Sequence, residues 1–495
     1  MREAKREWAA EWLKTPKSIY VNGKWEVGGG KPIASVNPAE NNVIGQIVAA
    51  SASDVDKAVQ AARDAFRSDA WKNMGRKDRA ACLRAIGQTV RKHQDELATL
   101  ETLDNGKLYS ESYQDDVEEV ASMFEYYAGW TDKFYGEVNP VSGNYLSYTV
   151  REPVGVCGQI VPWNFPLDMA SWKMAPALAM GNTVVIKPSS ITSFSLIRFF
   201  EIVHEERILP PGVLNLIVGG GAVGGLLSKH QDVDKIAFTG STSIGRKLVH
   251  DAADSNLKTV SLELGGKSPN IIFEDAPDMD WAIERSFKAI FTHKGEKCSE
   301  PTRLLVQRSV YERVLEGLKS HYGVWRVGDP FDERMHQGAQ VSEDHFNSIM
   351  HYIEIGRQED AKLLCGGTRN VQGSNGRGFF INPTIFYDCT NQMRIAREEI
   401  FGPVLAVIPF DTEQEAINIA NDSPYGLAAG LWTGDISRSQ RVANALQAGQ
   451  VFINRYGCYD LASPFGGYKE SGWGRECAIH SLDLYTKPKA IWYAY

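Results

Sequence analysis

Apolar residues in the first 130 positions recur at intervals of three and four, which is the period of an amphipathic helix. The stretch "SASDVDKAVQAARDAF" predicts such a helix, with Ser53 as its N-cap and Asp56 as the acid three residues later. Its predicted buried stripe comprises Val55, Ala58, Val59, Ala62 and Phe66. Further helices are predicted over "RAACLRAIGQTVRKHQDELATLETL" and "YQDDVEEVASMFEYYAGW". In the second of these the residues predicted to face inward are Val117, Val120, Ala121, Phe124 and Ala128.

The pattern then changes to short apolar runs separated by helices. "SGNYLSYTVREPVGVCGQIVP" alternates around glycine and predicts a hairpin that leaves the domain. From Gly155 onward strand, loop and helix repeat, as in "GNTVVIKP", "VLNLIVG" and "KIAFTG" with helices between them, and a second series begins at Pro269. This order predicts an α/β fold with parallel sheets and helices on both faces. The tail "YTKPKAIWYAY" alternates like an edge strand that could pair with another subunit.

Composition narrows the class of protein. The chain has 495 residues and a net charge of −8, which argues against a nucleic-acid or acidic-membrane surface. The N-terminal "MREAKREWAAEWLK" predicts a short amphipathic helix and lacks the apolar core of a signal peptide, and no run of 18 apolar residues occurs. The seven cysteines are scattered and form no CxxC pair, which predicts neither disulfides nor a metal site and suits a cytoplasmic protein.

A glycine-containing turn raises the question of phosphate binding. "KIAFTGSTSIGRKLV" ends a predicted strand at Gly240 and opens a helix near Gly245. Backbone N–H groups at a helix N-terminus attract phosphate, but Arg246 and Lys247 stand where a P-loop has Lys followed by Ser or Thr. The turn alone leaves a plain tight turn and a nucleotide site both open, with a kinase or ATPase as the rival enzyme class.

Two further residues are candidates for chemistry. Cys298 lies in the polar stretch "THKGEKCSEPT", whereas a structural cysteine usually has apolar neighbours. Glu263 lies between apolar residues and a double glycine in "TVSLELGGKSPNIIF", where desolvation would raise its pKa toward that of a general base. A salt-bridged or surface glutamate is the alternative.

Eight motifs in order give the chain its resemblance to the aldehyde dehydrogenase superfamily, over nearly its whole length: "LETLDNGK", "PWNFPL", "GNTVVIKPS", "FTGSTSIGR", "LELGGKSPNI", "GEKCSE", "EEIFGPV" and "SPFGGYKESGWGRE". The resemblance implies a Rossmann-like NAD(P)-binding domain, an α/β catalytic domain and a small β oligomerisation element. Residues 1–132 and 154–264 are expected to form the first, 265–475 the second, and 133–153 with 476–495 the third. It also implies a homodimer or homotetramer.

The implied reaction is oxidation of an aldehyde to a carboxylic acid through a thiohemiacetal and a thioester. Cys298 matches the nucleophile, Asn164 the donor to the oxyanion and Glu263 the base that activates water, and Lys173 completes the predicted catalytic set. A Cys–His hydrolase using His293 and a cofactor-binding structural relative without turnover are the alternatives.

The implied cofactor is NAD or NADP. The residues that match cofactor contacts are Trp163, Lys187, Ser190, Gly240, Ser241, Gly245, Leu264, Glu399 and Phe401. Ser190 stands where the family often has a glutamate that binds the adenine ribose; without that carboxylate a 2′-phosphate is repelled less, and Lys187 could attract it.

The predicted substrate tunnel contains Asp116, Glu119, Phe165, Asp168, Met169, Trp172, Thr292, Lys297 and Tyr459. Asp116 and Glu119, three residues apart on one helix, favour an aldehyde with a distant cation, as in aminoaldehyde and betaine-aldehyde members. The alternatives are a merely solvated helix face, a broad aldehyde range, and a carboxylate-bearing aldehyde attracted by Lys297 and Arg455, which could instead neutralise the acids. Lys297 is also expected either to lower the thiol pKa or to face the substrate.

Overall fold

The computed structural model describes residues 2–495, with side chains from residue 5 onward. Its strands are β1 (Ile19–Val21), β2 (Lys24–Glu26), β3 (Pro32–Asn37), β4 (Asn42–Val48), β5 (Val138–Asn139), β6 (Tyr145–Pro153), β7 (Val156–Ile160), β8 (Thr183–Lys187), β9 (Leu214–Leu216), β10 (Lys235–Thr239), β11 (Thr259–Glu263), β12 (Pro269–Ile272), β13 (Arg303–Gln307), β14 (Lys362–Cys365), β15 (Thr384–Tyr387), β16 (Val404–Phe410), β17 (Tyr425–Gly426), β18 (Ala428–Trp432), β19 (Gln450–Ile453), β20 (Tyr468–Lys469), β21 (Gly472–Trp473) and β22 (Thr486–Ala494).

The helices are α1 (Arg2–Leu13), α2 (Ala52–Arg67), α3 (Asp69–Lys72), α4 (Arg76–Lys92), α5 (Gln94–Asn105), α6 (Tyr109–Glu111), α7 (Glu118–Ala128), α8 (Pro166–Ala179), α9 (Phe194–Glu205), α10 (Gly221–Lys229), α11 (Thr242–Asp254), α12 (Met279–Phe291), α13 (Tyr311–Val324), α14 (Glu343–Gln358), α15 (Arg394–Arg397), α16 (Glu413–Asn421), α17 (Ile436–Ala445) and α18 (His480–Leu484). A π-helix covers Ser112–Val117, and a 3₁₀ turn covers Thr292–Gly295.

Two large sheets organise the chain, and they confirm the predicted α/β class. The first has the order β2-β1-β9-β8-β7-β10-β11-β21, and its five central strands are parallel. The second has the order β14-β15-β16-β13-β12-β18-β19 and is parallel except for β14. In the first sheet the strand order reverses between β7 and β10, and ligands of open α/β sheets bind outside the carboxyl ends of the strands at such a reversal.

The start of α2 differs from the sequence prediction. Ser51, not Ser53, is the N-cap: its hydroxyl accepts from the Asp54 backbone N–H, and the Asp54 carboxylate accepts from the Ser51 N–H at 2.8 Å. The same carboxylate accepts from the Gly29 N–H, which ties the cap to the preceding loop. This tertiary contact selects Ser51 over Ser53, which is exposed in the first helical turn. The predicted stripe from Val55 to Ala62 is buried, as expected.

The C-terminal strand pairs within the chain. β22 runs antiparallel to β6 along its whole length, and β6 also pairs with β5. In this three-stranded sheet β22 forms one edge, and most of its side chains are exposed. Large apolar side chains in or next to the strands of this sheet are exposed: Val138, Tyr145, Trp492, Tyr493 and Tyr495.

Candidate active site

A cavity of about 840 Å³ opens where the first sheet's strand order reverses. Three strands of that sheet deliver wall residues at or just beyond their carboxyl ends. Glu263 is the last residue of β11, Thr239 is the last residue of β10, and Asn164 follows β7 by four positions. Loops that flank the second sheet close the other side and bring in Cys298 and Glu399.

The double glycine after β11 allows the two sides of the cavity to approach. A Cβ atom at Gly265 would lie 2.1 Å from Oε2 of Glu399, and one at Gly266 would lie 2.4 Å from the Cys298 carbonyl oxygen. The Gly266 N–H donates to Oε1 of Glu399 at 2.8 Å. Because neither position has room for a side chain, the "LGG" turn is what sets Cys298 and Glu399 beside Glu263.

The Cys298 thiol is held in its protonated form. Burial, followed by the charges of Glu263 and Glu399, raises the pKa of Cys298 to about 12. The expectation that Lys297 lowers this pKa is wrong, because burial dominates and the ammonium lies 3.2 Å from Oε1 of Glu300. Lys297 faces the cavity instead, and its Nζ also donates to the hydroxyl of Thr292 at 3.2 Å. Attack by Cys298 therefore requires a base in the cavity to take the thiol proton.

Glu263 is a buried carboxylate next to a charged pair. Its Oε2 is buried and, in the part of the chain that the structure describes, has no hydrogen-bond partner. Burial, and second the charge of Glu476, raise the pKa of Glu263 well above its ordinary value, while Lys173 acts in the opposite direction. Lys173 Nζ donates to both carboxylate oxygens of Glu476, at 2.7 and 3.0 Å, and to the Thr239 hydroxyl at 2.7 Å.

The amide of Asn164 is already engaged on one side. Its Nδ2 donates to the Glu296 carbonyl oxygen at 2.9 Å, and the side chain lines the cavity. An amide nitrogen carries two hydrogens, so one N–H remains for a ligand.

His293 does not pair with Cys298 through any hydrogen bond among the described residues. Its ring packs on Phe165 with centroids 5.0 Å apart, and its backbone N–H donates to Glu111 at 2.7 Å. Burial, followed by the charge of Lys297, lowers the pKa of His293 well below its ordinary value. Because no hydrogen bond among the described residues joins its ring to Cys298, His293 gives no support to the Cys–His hydrolase alternative.

The cavity wall fits a nicotinamide dinucleotide in several places. The N-cap of α11, Ser241, makes no side-chain capping bond, so the first N–H groups of this helix next to Gly240 are open to a phosphate. Burial raises the pKa of Glu399 to about 7, and its carboxylate faces the same space. Phe401 packs edge-on against Trp163, with ring centroids 5.2 Å apart, and both line the cavity.

Three of the predicted cofactor residues lie outside the cavity wall: Lys187, Ser190 and Gly245. The ammonium of Lys187 donates to the carbonyl oxygens of Pro188 and Gly219, at 2.9 and 3.0 Å. Burial lowers the pKa of Lys187 to about 8. A Cβ atom at Gly245 would lie 2.7 Å from the Leu264 side chain, so this glycine lets α11 pack against a residue of the wall.

Acidic side chains also line the cavity from the segments at α7 and α8. Asp116 lies on the π-helix rather than on a regular helical face, and it forms a fully buried ion pair with Lys107. Glu119 accepts from Trp172 Nε1 at 3.2 Å, and burial raises its pKa to about 7. Asp168 is buried, and its Oδ1 has no hydrogen-bond partner within residues 5–495. The interpretation of these acids as a solvated helix face is therefore wrong.

The remaining predicted tunnel residues also line the cavity. Phe165, Met169 and Trp172 line it from the loop and first turns of α8, and Thr292 lines it from the turn after α12. Tyr459 lines it as well, with its hydroxyl 2.7 Å from the Ser299 hydroxyl. The described side chains contain no cluster of His, Cys, Asp and Glu that could hold a metal ion.

Comparison with known proteins identifies the family. The family model described as "Aldehyde dehydrogenase family" matches residues 25–491. The chain is 46% identical to the mitochondrial aldehyde dehydrogenase of Mesocricetus auratus over 476 residues, which cover 96% of this chain and 94% of that one. The chain belongs to the aldehyde dehydrogenase family. It is therefore an oxidoreductase that acts on aldehydes with NAD or NADP.

Solved aldehyde dehydrogenase structures share the whole fold. An NAD+ complex of the aldehyde dehydrogenase from Bacillus cereus matches with a TM-score of 0.95 at 43% identity, over 98% of each chain. The γ-glutamyl-γ-aminobutyraldehyde dehydrogenase from Burkholderia cenocepacia matches with a TM-score of 0.95 at 41% identity, over 99% of each chain.

Sequence reasoning missed two aldehyde dehydrogenase site residues. Glu476, the last residue of the motif "SPFGGYKESGWGRE", lines the cavity and binds Lys173. His345 packs against both Trp163 and Phe401, and its Nε2 is 2.8 Å from the Phe401 carbonyl oxygen. The motif could have suggested Glu476, whereas His345 lies in none of the eight motifs.

Removing Glu476 or Lys173, the charged neighbours of Glu263, is expected to shift the pH dependence of acyl-enzyme hydrolysis in opposite directions. As the predicted base, Glu263 must be ionised, so its raised pKa is expected to place an acidic limb on acyl-enzyme hydrolysis. Glu476→Gln removes a repulsive charge and is expected to move that limb to lower pH, by on the order of one unit, whereas Lys173→Met moves it to higher pH. The hydrolysis rate is measured against pH for both variants. Shifts in the same direction would contradict the assignment of Glu263 as the titrating base.

Proposed function

We propose that this chain oxidises aldehydes through a thioester on Cys298, with Asn164 donating to the oxyanion and Glu263 activating water. The observation that carries the proposal is that one cavity collects the thiol, the amide and the raised-pKa carboxylate. These groups come from three different parts of the chain. A structural relative without turnover would have no need of all three.

The steps follow from the chemistry of these groups. The Cys298 sulfur bonds to the aldehyde carbon after a wall carboxylate takes the thiol proton, and the carbonyl oxygen becomes negative next to the free N–H of Asn164. Gly240, Ser241 and Glu399 would hold NAD(P)+, which would supply the acceptor for the hydride lost from this carbon. Glu263 then takes a proton from a water whose oxygen attacks the thioester carbon. The C–S bond breaks, the acid leaves and the sulfur regains a proton.

The test uses the purified chain, NAD and NADP separately, and a panel of alkyl, aromatic and amino aldehydes. Reduced cofactor, followed by its absorbance near 340 nm, is the expected product. We expect no preference between NAD and NADP. Ser190 carries no charge that would repel the 2′-phosphate of NADP. Lys187, which could attract that phosphate, already donates to two carbonyl oxygens. No reduction with any combination would overturn the proposal.

A second, narrower candidate is an aldehyde with a positive charge at its far end. Asp168 supports it, since an unpartnered carboxylate oxygen buried in the cavity favours a hydrogen-bond donor or a cation. Burial, then the charge of Glu119, raises the pKa of Asp168 well above its ordinary value. A substrate cation next to the two carboxyl groups would favour their ionised forms. Asp116 contributes less, because Lys107 neutralises it. One structurally similar protein is named for γ-glutamyl-γ-aminobutyraldehyde, an aldehyde with a polar far end.

This candidate is tested by the ratio of kcat/KM for a positively charged aldehyde to kcat/KM for a neutral one. We expect wild type to favour an ω-aminoaldehyde over its neutral alkyl analogue in kcat/KM, and Asp168→Asn/Glu119→Gln to reduce that ratio about tenfold or more. Added salt should weaken the preference. Glu118→Gln is the single-charge control, because Glu118 lies next to Glu119 in the sequence but pairs with Arg91 outside the cavity. An unchanged ratio in the double variant would leave a broad aldehyde range.

We further propose the division into units and their assembly. Residues 1–132 and 154–264 form the dinucleotide-binding domain, 265–475 the catalytic domain, and 133–153 with 476–495 the oligomerisation element. The exposed edge strand β22 and the aromatic side chains around it support a homodimer or homotetramer. Light scattering at micromolar concentration is expected to give two or four chain masses, and a monomer would contradict this assembly.

The proposed compartment is the cytoplasm. The seven cysteines are free thiols, which suits a reducing environment, although the relative from Mesocricetus auratus is named as mitochondrial. None of the helices in the described part of the chain is long and apolar enough to cross a membrane.

A further inference from the structure

Four side chains close a ring of polar contacts behind the cavity wall. The Asn164 amide donates to the Glu296 carbonyl oxygen at 2.9 Å, and Oε2 of Glu296 lies 2.7 Å from Lys294 Nζ. Lys294 Nζ also donates to both the carbonyl oxygen and Oδ1 of Asn105, at 2.8 Å each. Asn105 Nδ2 donates to the carbonyl oxygen of Trp163 at 2.7 Å. Because Trp163 directly precedes Asn164 in the sequence, this hydrogen bond closes the ring.

The ring joins three distant segments of the chain: the C-terminus of α5, the loop after β7, and the turn before Cys298. Lys294 and Glu296 are 1% and 2% exposed, so both charges are desolvated and depend on each other. Oε1 of Glu296 accepts from the Val341 N–H at 3.1 Å, which anchors the pair to a fourth segment.

The turn held by this pair has an unusual backbone. His293, Lys294 and Gly295 all have positive φ angles, of 49°, 65° and 72°. A Cβ atom at Gly295 would lie 2.5 Å from the Gly402 carbonyl carbon, so glycine is required there. Two consecutive non-glycine residues in the left-handed region are costly, and such a turn persists only where surrounding contacts fix it. The contacts of Lys294 are the ones in position to do so.

We propose that the Lys294–Glu296 ion pair is a positioning device for the oxyanion donor. It fixes the Glu296 carbonyl, and because a carbonyl oxygen only accepts, the amide of Asn164 must present nitrogen to it. The amide therefore cannot rotate to place its oxygen there, and its second N–H stays available to the oxyanion formed on attack by Cys298. Neither Lys294 nor Glu296 lines the cavity, so they act through Asn164 and do not touch the substrate.

This inference rests on the proposed role of Asn164, and a mutant cycle separates the two. The measured quantity is the rate constant of the first-turnover burst of reduced cofactor with one alkyl aldehyde. Lys294→Gln, Glu296→Gln and the double variant are compared in the wild-type chain and in an Asn164→Ala chain. Lys362→Gln, which breaks an exposed ion pair with Asp388, is the control. The double variant leaves no buried unpaired charge. It can therefore still be measured if a single variant folds poorly.

Asn164→Ala is expected to slow the burst by about 10² to 10³-fold, as removal of one oxyanion donor does elsewhere. In the wild-type chain each single variant should slow it about tenfold or more, and the double variant less than the worse single variant. In the Asn164→Ala chain the same changes should have less than about a twofold effect, because coupled residues lose their effect once the partner is removed. Cofactor affinity should stay within about twofold throughout.

Equal slowing of the burst in the wild-type and the Asn164→Ala chain would overturn the inference, because the Lys294–Glu296 pair would then support the fold in general and not act through Asn164. An unchanged burst in the wild-type chain would overturn it too. If Asn164→Ala itself leaves the burst unchanged, the role proposed for Asn164 fails first, and the pair positions no oxyanion donor.

Discussion

Cys298→Ala is expected to abolish aldehyde oxidation with either cofactor, by about 10⁴-fold or more, because no covalent intermediate can form. The measurement is the burst and steady rate of cofactor reduction at saturating aldehyde. Cofactor affinity should be unchanged, because the variant keeps the predicted cofactor residues Glu399 and Ser241 in the cavity wall.

Cys458→Ala provides the matched control. Cys458 is an exposed free thiol outside the cavity wall, so its loss should leave turnover unchanged. If Cys298→Ala retained turnover while Cys458→Ala lost it, the nucleophile would be assigned to the wrong residue.

Glu263→Gln is expected to separate the two halves of the reaction. The variant should release about one equivalent of reduced cofactor per active subunit and then stall, with the steady rate reduced by about 10² to 10⁴-fold. The physical reason is that an amide cannot take a proton from the water that attacks the thioester. Rapid-mixing absorbance gives the burst amplitude and the steady rate in one trace.

The control for this variant is Glu470→Gln. Glu470 is exposed and pairs with Arg246 at 2.7 Å, away from the thiol, and its loss should change neither phase. Loss of the burst in Glu263→Gln would mean that Glu263 acts earlier, as the base that takes the proton of the high-pKa thiol. Full steady turnover would remove Glu263 from the mechanism.

The sequence predicted those features that depend on local pattern or on contiguous motifs. Alternation of strands and helices gave the α/β class, because side-chain period is a local property. The motif "LELGG" marks Glu263 as the predicted base, whereas only the structure shows that its double glycine lets Glu399 and Cys298 approach.

What the sequence could not predict depends on contacts between distant segments. Lys173 and Glu476 are 303 positions apart, so the motif that contains Glu476 gives no sign that its charge offsets Lys173 and raises the pKa of Glu263. The sequence predicts that Asp116 favours a substrate cation together with Glu119, whereas Lys107 neutralises Asp116 in the core. The sequence predicts that Lys297 either lowers the thiol pKa or faces the substrate; it faces the cavity, and Glu300 lies beside its charge. In each case the identity of the partner ion decides the electrostatic effect.

The central claim is that oxidation passes through a thioester on Cys298 that Glu263 resolves. Its most direct test is mass spectrometry of Glu263→Gln after incubation with an alkyl aldehyde and the active cofactor. The account predicts that the peptide containing Cys298 gains the mass of the aldehyde less two hydrogens, as an acyl group bound to sulfur requires. An unmodified Cys298 peptide in a stalled enzyme, or an acyl group on another residue, would contradict it.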